Sequence, residues 1–305
     1  MKREMLLSND TDLVINSLKN KMEADCGEKK WITEIDRGIA QSYQISRILD
    51  EQKSDFQKIK VFKTTNHGKL LTLDDSIMLN EKHEFIYHEM LTHVAMFSHP
   101  NPEHVLIIGG GDGGAAREVL KHKSVKSLEL VEIDKQVIEI SKKHFSCFKA
   151  AFKDPRLKII NNDGANFVKK IKNKYDVVLV DSTDPSKISM PLFSRGFYAN
   201  VRKAMKQYGV FISQSHSPLY DSKFIRIMHQ RMKCSFYFVF PYLAFVPYYL
   251  GGCWSFTFAS NMLYPTYIKS NPPRTIKTKY YSEKIHESAF VIPDFIKQSI
   301  GCKTL

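Results

Sequence analysis

The sequence predicts an α/β protein: a Rossmann-like, doubly wound and mainly parallel sheet of the methyltransferase-like kind, preceded by a small antiparallel β domain. Three observations carry that expectation. From about residue 105 onward, short and wholly apolar runs alternate with helical patterns, as a parallel sheet covered on both faces requires. The first of these runs, Val105-Leu106-Ile107-Ile108, passes straight into Gly109-Gly110-Gly111-Asp112-Gly113-Gly114. Between Trp31 and about Asp75 the text instead consists of β-type runs separated by turn signals.

Taken in chain order, residues 1–30 are polar and lysine-rich and read as an N-terminal extension, a peripheral helix or loose segment. Ser42–Ile45, Ile59–Phe62 and Lys69–Leu73 are predicted strands, with a turn at Asn66-His67-Gly68. These give a small β domain over 31–82. A helix follows in Glu84–Phe97, where Phe85, Met90, Leu91, Val94 and Ala95 recur at helical spacing before Pro100 and Pro102. The catalytic domain expected over 83–305 then alternates Val105–Ile108, a helix from Ala115, Leu128–Val131, a helix from Gln136, Leu157–Ile160 and Val177–Val180. Strands at Val210–Ser213 and around Phe245 and Phe256 extend the sheet.

With 305 residues and 43% hydrophobic content the chain can bury a full core. Its five cysteines are scattered and contain no Cys-x-x-Cys pair, which argues against zinc and for a reducing cytoplasm. The N-terminus mixes acids with bases and does not read as a signal peptide. The aromatic stretch from Phe236 to Ala259 is broken by Pro241, Pro247 and Gly251-Gly252, so it reads as two buried strands rather than a membrane span. The net charge of +13 raises nucleic acid as a partner, but the lysines lie in short separate runs typical of solvated faces. Neither nucleic acid nor membrane is expected to bind.

Gly109 to Gly114 satisfies G-x-G-x-x-G between a strand and a helix, the setting in which glycines let a ligand approach the backbone at a helix N-terminus. Glu132 ends the next strand, where an acid can grip a ribose diol. Together they predict an adenosine site. Asp112 would repel a pyrophosphate, so a cationic adenosyl-sulfonium compound suits this loop better than a dinucleotide. Asp163-Gly164 would then read the adenine, although the same pair also reads as a turn. A third acidic site, Asp181-Ser182-Thr183-Asp184-Pro185, follows another buried strand. Gathering Asp112, Asp181 and Asp184 in a basic protein calls for a bound cation, and a polyamine would supply it. Taken singly, Asp181 also reads as a helix cap and Asp184-Pro185 as a turn.

At this point the chain resembles the spermidine synthase (putrescine aminopropyltransferase) family from Trp31 to about Ile300. The match lies in Phe85–Met90, Val105–Gly114, Val131–Asp134, Asp163-Gly164, Asp181–Pro185 and Tyr281–Pro293. The resemblance implies transfer of the aminopropyl group of decarboxylated S-adenosylmethionine to putrescine, giving spermidine and methylthioadenosine. It implies a homodimer and no prosthetic group or metal. It assigns Asp181 as proton acceptor; Asp112, Asp181, Ser182, Thr183 and Asp184, with Tyr87, His88, Gln214 and Tyr249, to the amine pocket; and Gln57, Asp112, Glu132, Asp163, Gly164 and the position of Ile188 to the nucleoside donor.

The chain departs from the family at Ser186–Pro191, where Gly-Pro and an acid usually follow Asp-Pro; Ile188 stands for a proline. Met78 stands for glutamine, His83 for aspartate and Tyr248 for threonine. Two other functions stay open on this scaffold: an S-adenosylmethionine-dependent amine N-methyltransferase, and a weakly active relative with altered amine choice.

Overall fold

The computed structural model describes residues 30–36, 38–266 and 276–302. The extension expected over residues 1–30 lies outside these apart from Lys30. Five strands, β1 (Lys30–Asp36), β2 (Ile39–Lys53), β3 (Lys58–Thr64), β4 (Lys69–Leu73) and β5 (Ser76–Asn80), form an antiparallel meander in chain order. β2 runs far beyond the predicted Ser42–Ile45. Its partners are staggered, β1 along its first half and β3 along its second, with register shifts after Ile45 and Ile48. Such irregularities let a long strand twist and change partners.

Helix α1 (Glu84–Ser98) leads out of this sheet, and every residue but Phe85 is buried. The periodicity that predicts one apolar face understates it. α1 packs on the main sheet and on a second helix, and a helix covered on all sides is buried all round.

The main sheet has seven strands in the order β11-β12-β10-β9-β6-β7-β8. These are β6 (His104–Gly109), β7 (Ser127–Glu132), β8 (Leu157–Asn161), β9 (Tyr175–Asp181), β10 (Met205–Gln214), β11 (Phe238–Phe245) and β12 (Cys253–Ser260). The strands from β10 through β8 pair in parallel, and β11 and β12 close the edge antiparallel. The intervening helices include α2 (Gly114–Leu120) after β6, α3 (Lys135–His144) after β7 and α4 (Gly164–Val168) after β8. β6 through β8 build outward on one side of the sheet centre and β9 on the other. The order therefore reverses between β6 and β9, and the crevice beyond their carboxyl ends is where such sheets bind ligands.

The first sheet packs on a helix of the second domain: Ile59, Val61, Leu71, Leu73 and Leu79 share a core with Val137 and Ile140 of α3 and with Phe145 and Phe148 just after it. Asp134 joins them further. One of its oxygens caps α3 through Gln136 N–H; the other accepts from Ser54 Oγ at 2.7 Å and Gln57 Nε2 at 2.9 Å. The N-terminal sheet is thereby held over the crevice. Among the described residues no helix is long and apolar enough to cross a membrane.

Candidate active site

β6 and β9 are register partners at Gly109 and Asp181, so the glycine loop and the acidic segment leave the sheet side by side. Gly110 N–H donates to the Asp181 carbonyl at 2.9 Å. At Gly109, φ is +81° and a Cβ would lie 2.1 Å from that same carbonyl oxygen, so only glycine fits.

Two cavities meet beyond these strand ends. The first is lined by Gln57, Gly109 to Asp112, Glu132, Asp163, Gly164 and Ile188, with Leu71, Leu73 and Val137 as apolar wall. The second is lined by Glu34, Asp184, Gln214 and Trp254 among others. Met78, Tyr87, Ser182, Thr183 and Tyr249 line both and mark their junction. Every residue that sequence reasoning assigned to the donor falls in the first cavity.

Glu132 sits on the floor of the first cavity, accepting from Gly111 N–H at 3.2 Å and Asp134 N–H at 2.9 Å. Burial, and next the Asp134 charge, push its carboxyl up to about 7 against those two backbone bonds. A ribose diol donating to it would restore the solvation it lost. Asp163 caps α4, accepting from Ala165 and Asn166 N–H, and its second oxygen takes Asn166 Nδ2. The turn and adenine readings of this residue are thus compatible, because the cap fixes the carboxylate at the cavity edge.

At the junction Tyr87 Oη donates to Asp181 Oδ1 at 2.7 Å, while Asp181 Oδ2 is buried with no partner. Burial, then the nearby Asp112 charge, raise the Asp181 carboxyl to about 6. An unsatisfied buried acceptor costs about 1–3 kcal/mol, more when charged, and such a group in a cavity is a ligand contact in waiting. Asp112 is held differently. Its Oδ1 accepts from Gly114 N–H at 2.6 Å and its Oδ2 lies 3.2 Å from His88 Nε2. Burial alone would raise Asp112, but the His88 charge outweighs it and holds the carboxyl below its usual range.

His88 lines neither cavity. Its Nδ1 lies 2.6 Å from Glu84 Oε2, so both ring nitrogens are taken by carboxylates. Burial would lower it, yet Asp112 and Glu84 together push it up to about 10. His88, Asp112 and Asp181 offer atoms within 4.8 Å of one another. With the His88 ring engaged between Glu84 and Asp112, the two carboxylates of Asp112 and Asp181 can hold an organic ammonium.

Gln214 lines the second cavity and donates to the Ser182 carbonyl at 3.0 Å, while its Oε1 accepts from His216 N–H. It thereby braces the Asp181–Asp184 segment. Asp184 is exposed and pairs with His216 Nδ1 at 2.9 Å. Tyr249 Oη donates to the Met78 carbonyl, and its ring stands edge-on to Tyr87 at 5.7 Å and 4.3 Å from Trp254. The divergent 186–191 segment closes on itself. Ser186 N–H donates to Ser189 Oγ, which donates to the Asp184 carbonyl at 2.6 Å, and the Ser186 hydroxyl accepts from Ile188 N–H. Two serines therefore replace the turn that Gly-Pro would impose.

Sequence reasoning missed Glu34. It lines the second cavity from β1; Oε1 accepts from Ile77 N–H and Oε2 is buried with no partner. Burial pushes its carboxyl up to about 7. A lone glutamate in an edge strand carries no local signal, and only the pairing of β1 with β2 aims it inward.

The spermine/spermidine synthase domain model matches residues 84–270, and the spermidine synthase tetramerisation domain model matches 30–81. A polyamine aminopropyltransferase of Bacillus subtilis (strain 168) is 40% identical over 271 residues, covering 88% of this chain and 98% of the relative. One of Hydrogenobaculum sp. (strain Y04AAS1) is 44% identical over 263 residues, covering 86% and 93%. A crystal structure of spermidine synthase in complex with the transition state analogue AdoDATO superposes with a TM-score of 0.87 at 39% identity, covering 90% of this chain and 96% of that one. The spermidine synthase from Thermotoga maritima gives 0.86 at 39% identity, covering 90% and 95%.

Proposed function

The chain belongs to the spermine/spermidine synthase family, and from that premise we propose that it moves the aminopropyl group of decarboxylated S-adenosylmethionine to putrescine, with the residue roles that follow. The observation that carries the reading is the buried, unpartnered Oδ2 of Asp181, which lines the first cavity beside Tyr87 and Ser182, two residues that border both cavities. The nucleoside lies in the first, its ribose on Glu132 and its adenine beside Asp163 and Gly164. Asp112 takes the ammonium of the aminopropyl arm. Putrescine lies in the second cavity, with its reacting nitrogen at Asp181 and its far ammonium toward Glu34 and Asp184.

A putrescine amine is protonated near neutral pH and must lose a proton before it attacks. Asp181, with its carboxyl raised to about 6, is ionised at about pH 7 and accepts that proton better than an ordinary aspartate would. The freed lone pair forms the new C–N bond at the aminopropyl carbon attached to sulfur. The C–S bond breaks, its electron pair returns to sulfur, and the sulfonium leaves as neutral methylthioadenosine. Positive charge passes from sulfur to nitrogen, so the catalytic demand is alignment of the two substrates.

Within this reading 31–82 and 83–305 act as an N-terminal β domain and a catalytic domain, both of which line the crevice. The chain works as an oligomer, which the match of residues 30–81 to the spermidine synthase tetramerisation domain supports, with a homodimer as its proposed unit and the cytoplasm as its proposed location. The test is mass-spectrometric product analysis with decarboxylated S-adenosylmethionine and a panel of putrescine, cadaverine, agmatine and spermidine. Spermidine from putrescine is the expected product, and no aminopropylated amine from any acceptor would overturn the reading.

A further inference from the structure

Behind Asp112 a row of alternating charges runs into the protein. Asp112 meets His88, His88 meets Glu84, and Glu84 meets Arg117 through two bonds, Nη1 to Oε1 at 2.6 Å and Nη2 to Oε2 at 2.9 Å. Arg117 Nε donates onward to Glu118 at 2.7 Å. The side chains of His88 and Glu84 are 2% and 5% exposed, so water does not screen these contacts.

Sterics hold the row as firmly as charge. The His88 ring stands edge-on to Phe148, over which the Arg117 guanidinium also lies, 5.1 Å from the ring centre. On its other side His88 rests against Gly114, where a Cβ would come 2.1 Å from His88 Cε1. A ring seated this way cannot turn without breaking both of its carboxylate bonds.

We propose that Glu84 and Arg117, which line neither cavity, are positioning residues for the aminopropyl donor: acting through His88, they set the place and charge of the Asp112 carboxylate that receives the donor's ammonium. The inference rests on the reading of Asp112 given above. Its reason is a charge balance. With Glu84 present, His88 holds both ring protons and donates to Asp112, and Arg117 keeps Glu84 ionised and oriented by a bidentate grip. Remove the Glu84 charge and Asp112 is left as the one carboxylate opposing the burial of His88, so the ring holds its second proton less firmly and is no longer fixed from behind, and Asp112 loses strength or direction in its donor. The ionisable groups around His88 are Glu84 and Tyr87 on its own helix, Asp112 in the glycine loop, Arg117 on α2 and Asp181 at the end of β9, with Tyr248 near the same carboxylates. Among them Glu84 alone touches His88 from behind the site.

The test uses the whole protein with nitrogen-15-labelled histidine, calorimetric titration of decarboxylated S-adenosylmethionine and of methylthioadenosine, and three forms: the wild type, Glu84→Gln and Glu84→Asp. Expected are a doubly protonated His88 in the wild type at about pH 8 and, in Glu84→Gln, a His88 that gives up its second ring proton at a lower pH than the wild type does. Donor affinity should fall roughly tenfold in Glu84→Gln and recover in large part in Glu84→Asp, which keeps the charge. Affinity for methylthioadenosine, which has no ammonium, should change by less than about twofold. A merely structural role would weaken both ligands alike. Equal losses, an unchanged donor affinity in folded Glu84→Gln, or a neutral His88 in the wild type at that pH each overturn the proposal. If Glu84→Gln does not fold, Arg117→Lys, which keeps the charge but loses the two-pronged grip, is read by the same comparison. Wild-type protein that binds neither ligand refutes the functional reading instead, and the histidine spectrum still decides the charge of His88.

Discussion

A single hydrogen bond of 2.7 Å from Tyr87 Oη to Asp181 Oδ1 leaves the second oxygen of that carboxylate buried and free, close to Asp112. Two neighbouring aspartates thereby take opposite characters. Asp112, against the His88 ring, stays ionised, while Asp181, desolvated and repelled by Asp112, is raised to about 6, nearer the pH at which the proposed proton transfer runs.

Asp181→Asn keeps the shape and removes the base. Turnover should fall by about 10²–10⁴-fold, the usual worth of a positioned general base, with nucleoside affinity nearly unchanged. Product formation beside methylthioadenosine binding checks this.

Tyr87→Phe should shift the acid side of the pH profile. The Tyr87 bond lowers the Asp181 pKa, so its loss lifts the carboxyl above about 6. Activity, which needs the ionised form, should then begin to fail at a higher pH than in the wild type. The pH dependence of kcat/KM reads the shift.

His88→Gln should change how stability depends on pH. The folded His88 pKa of about 10 lies above its ordinary value of 6.5. Its protonated form therefore stabilises the fold fully below about pH 6.5, and that contribution is lost as pH rises through about 10. Urea unfolding across this range should show the gap between wild type and variant closing with rising pH.

Glu34→Gln should weaken the diamine acceptor by roughly tenfold in KM while sparing the donor. Because Glu34 is raised to about 7, wild-type acceptor affinity should improve as pH rises through that value, and the variant should lose this dependence.

Gly114→Ala brings a methyl group onto the His88 ring. Overpacking of this kind costs about 1–3 kcal/mol, and thermal unfolding of the variant measures it.

Much of this arrangement is legible in the sequence because it is local. Apolar runs mark β6, β7 and β9; Glu132 and Asp181 follow theirs at once, and Asp112 follows its run after three glycines. What is not legible depends on partners far apart in the chain. The spacing of Glu84 and His88 on one helix is local, but nothing near them indicates that Asp112 in the glycine loop and Arg117 on α2 complete the row, and the place of His88 beside Tyr87 suggests contact with the amine instead. The length of β2 is hidden because its two halves answer to different neighbours. Asp163 reads in the sequence as a turn or as a ligand contact, and the helix cap that brings it to the cavity edge is visible only in the structure.

The backbone seam between Gly109 or Gly110 and the Asp181 carbonyl bears on how this enzyme can diverge. A side chain added at Gly109 displaces the Asp181 backbone without touching any charge, so a change in the glycine loop moves the carboxylate with it. Latitude remains at the periphery. Met78, Tyr248 and Ile188, where the chain leaves its family's pattern, all lie outside that seam, and Met78 and Ile188 border the cavities. Redesign of acceptor choice, by selection or in the laboratory, has its room there.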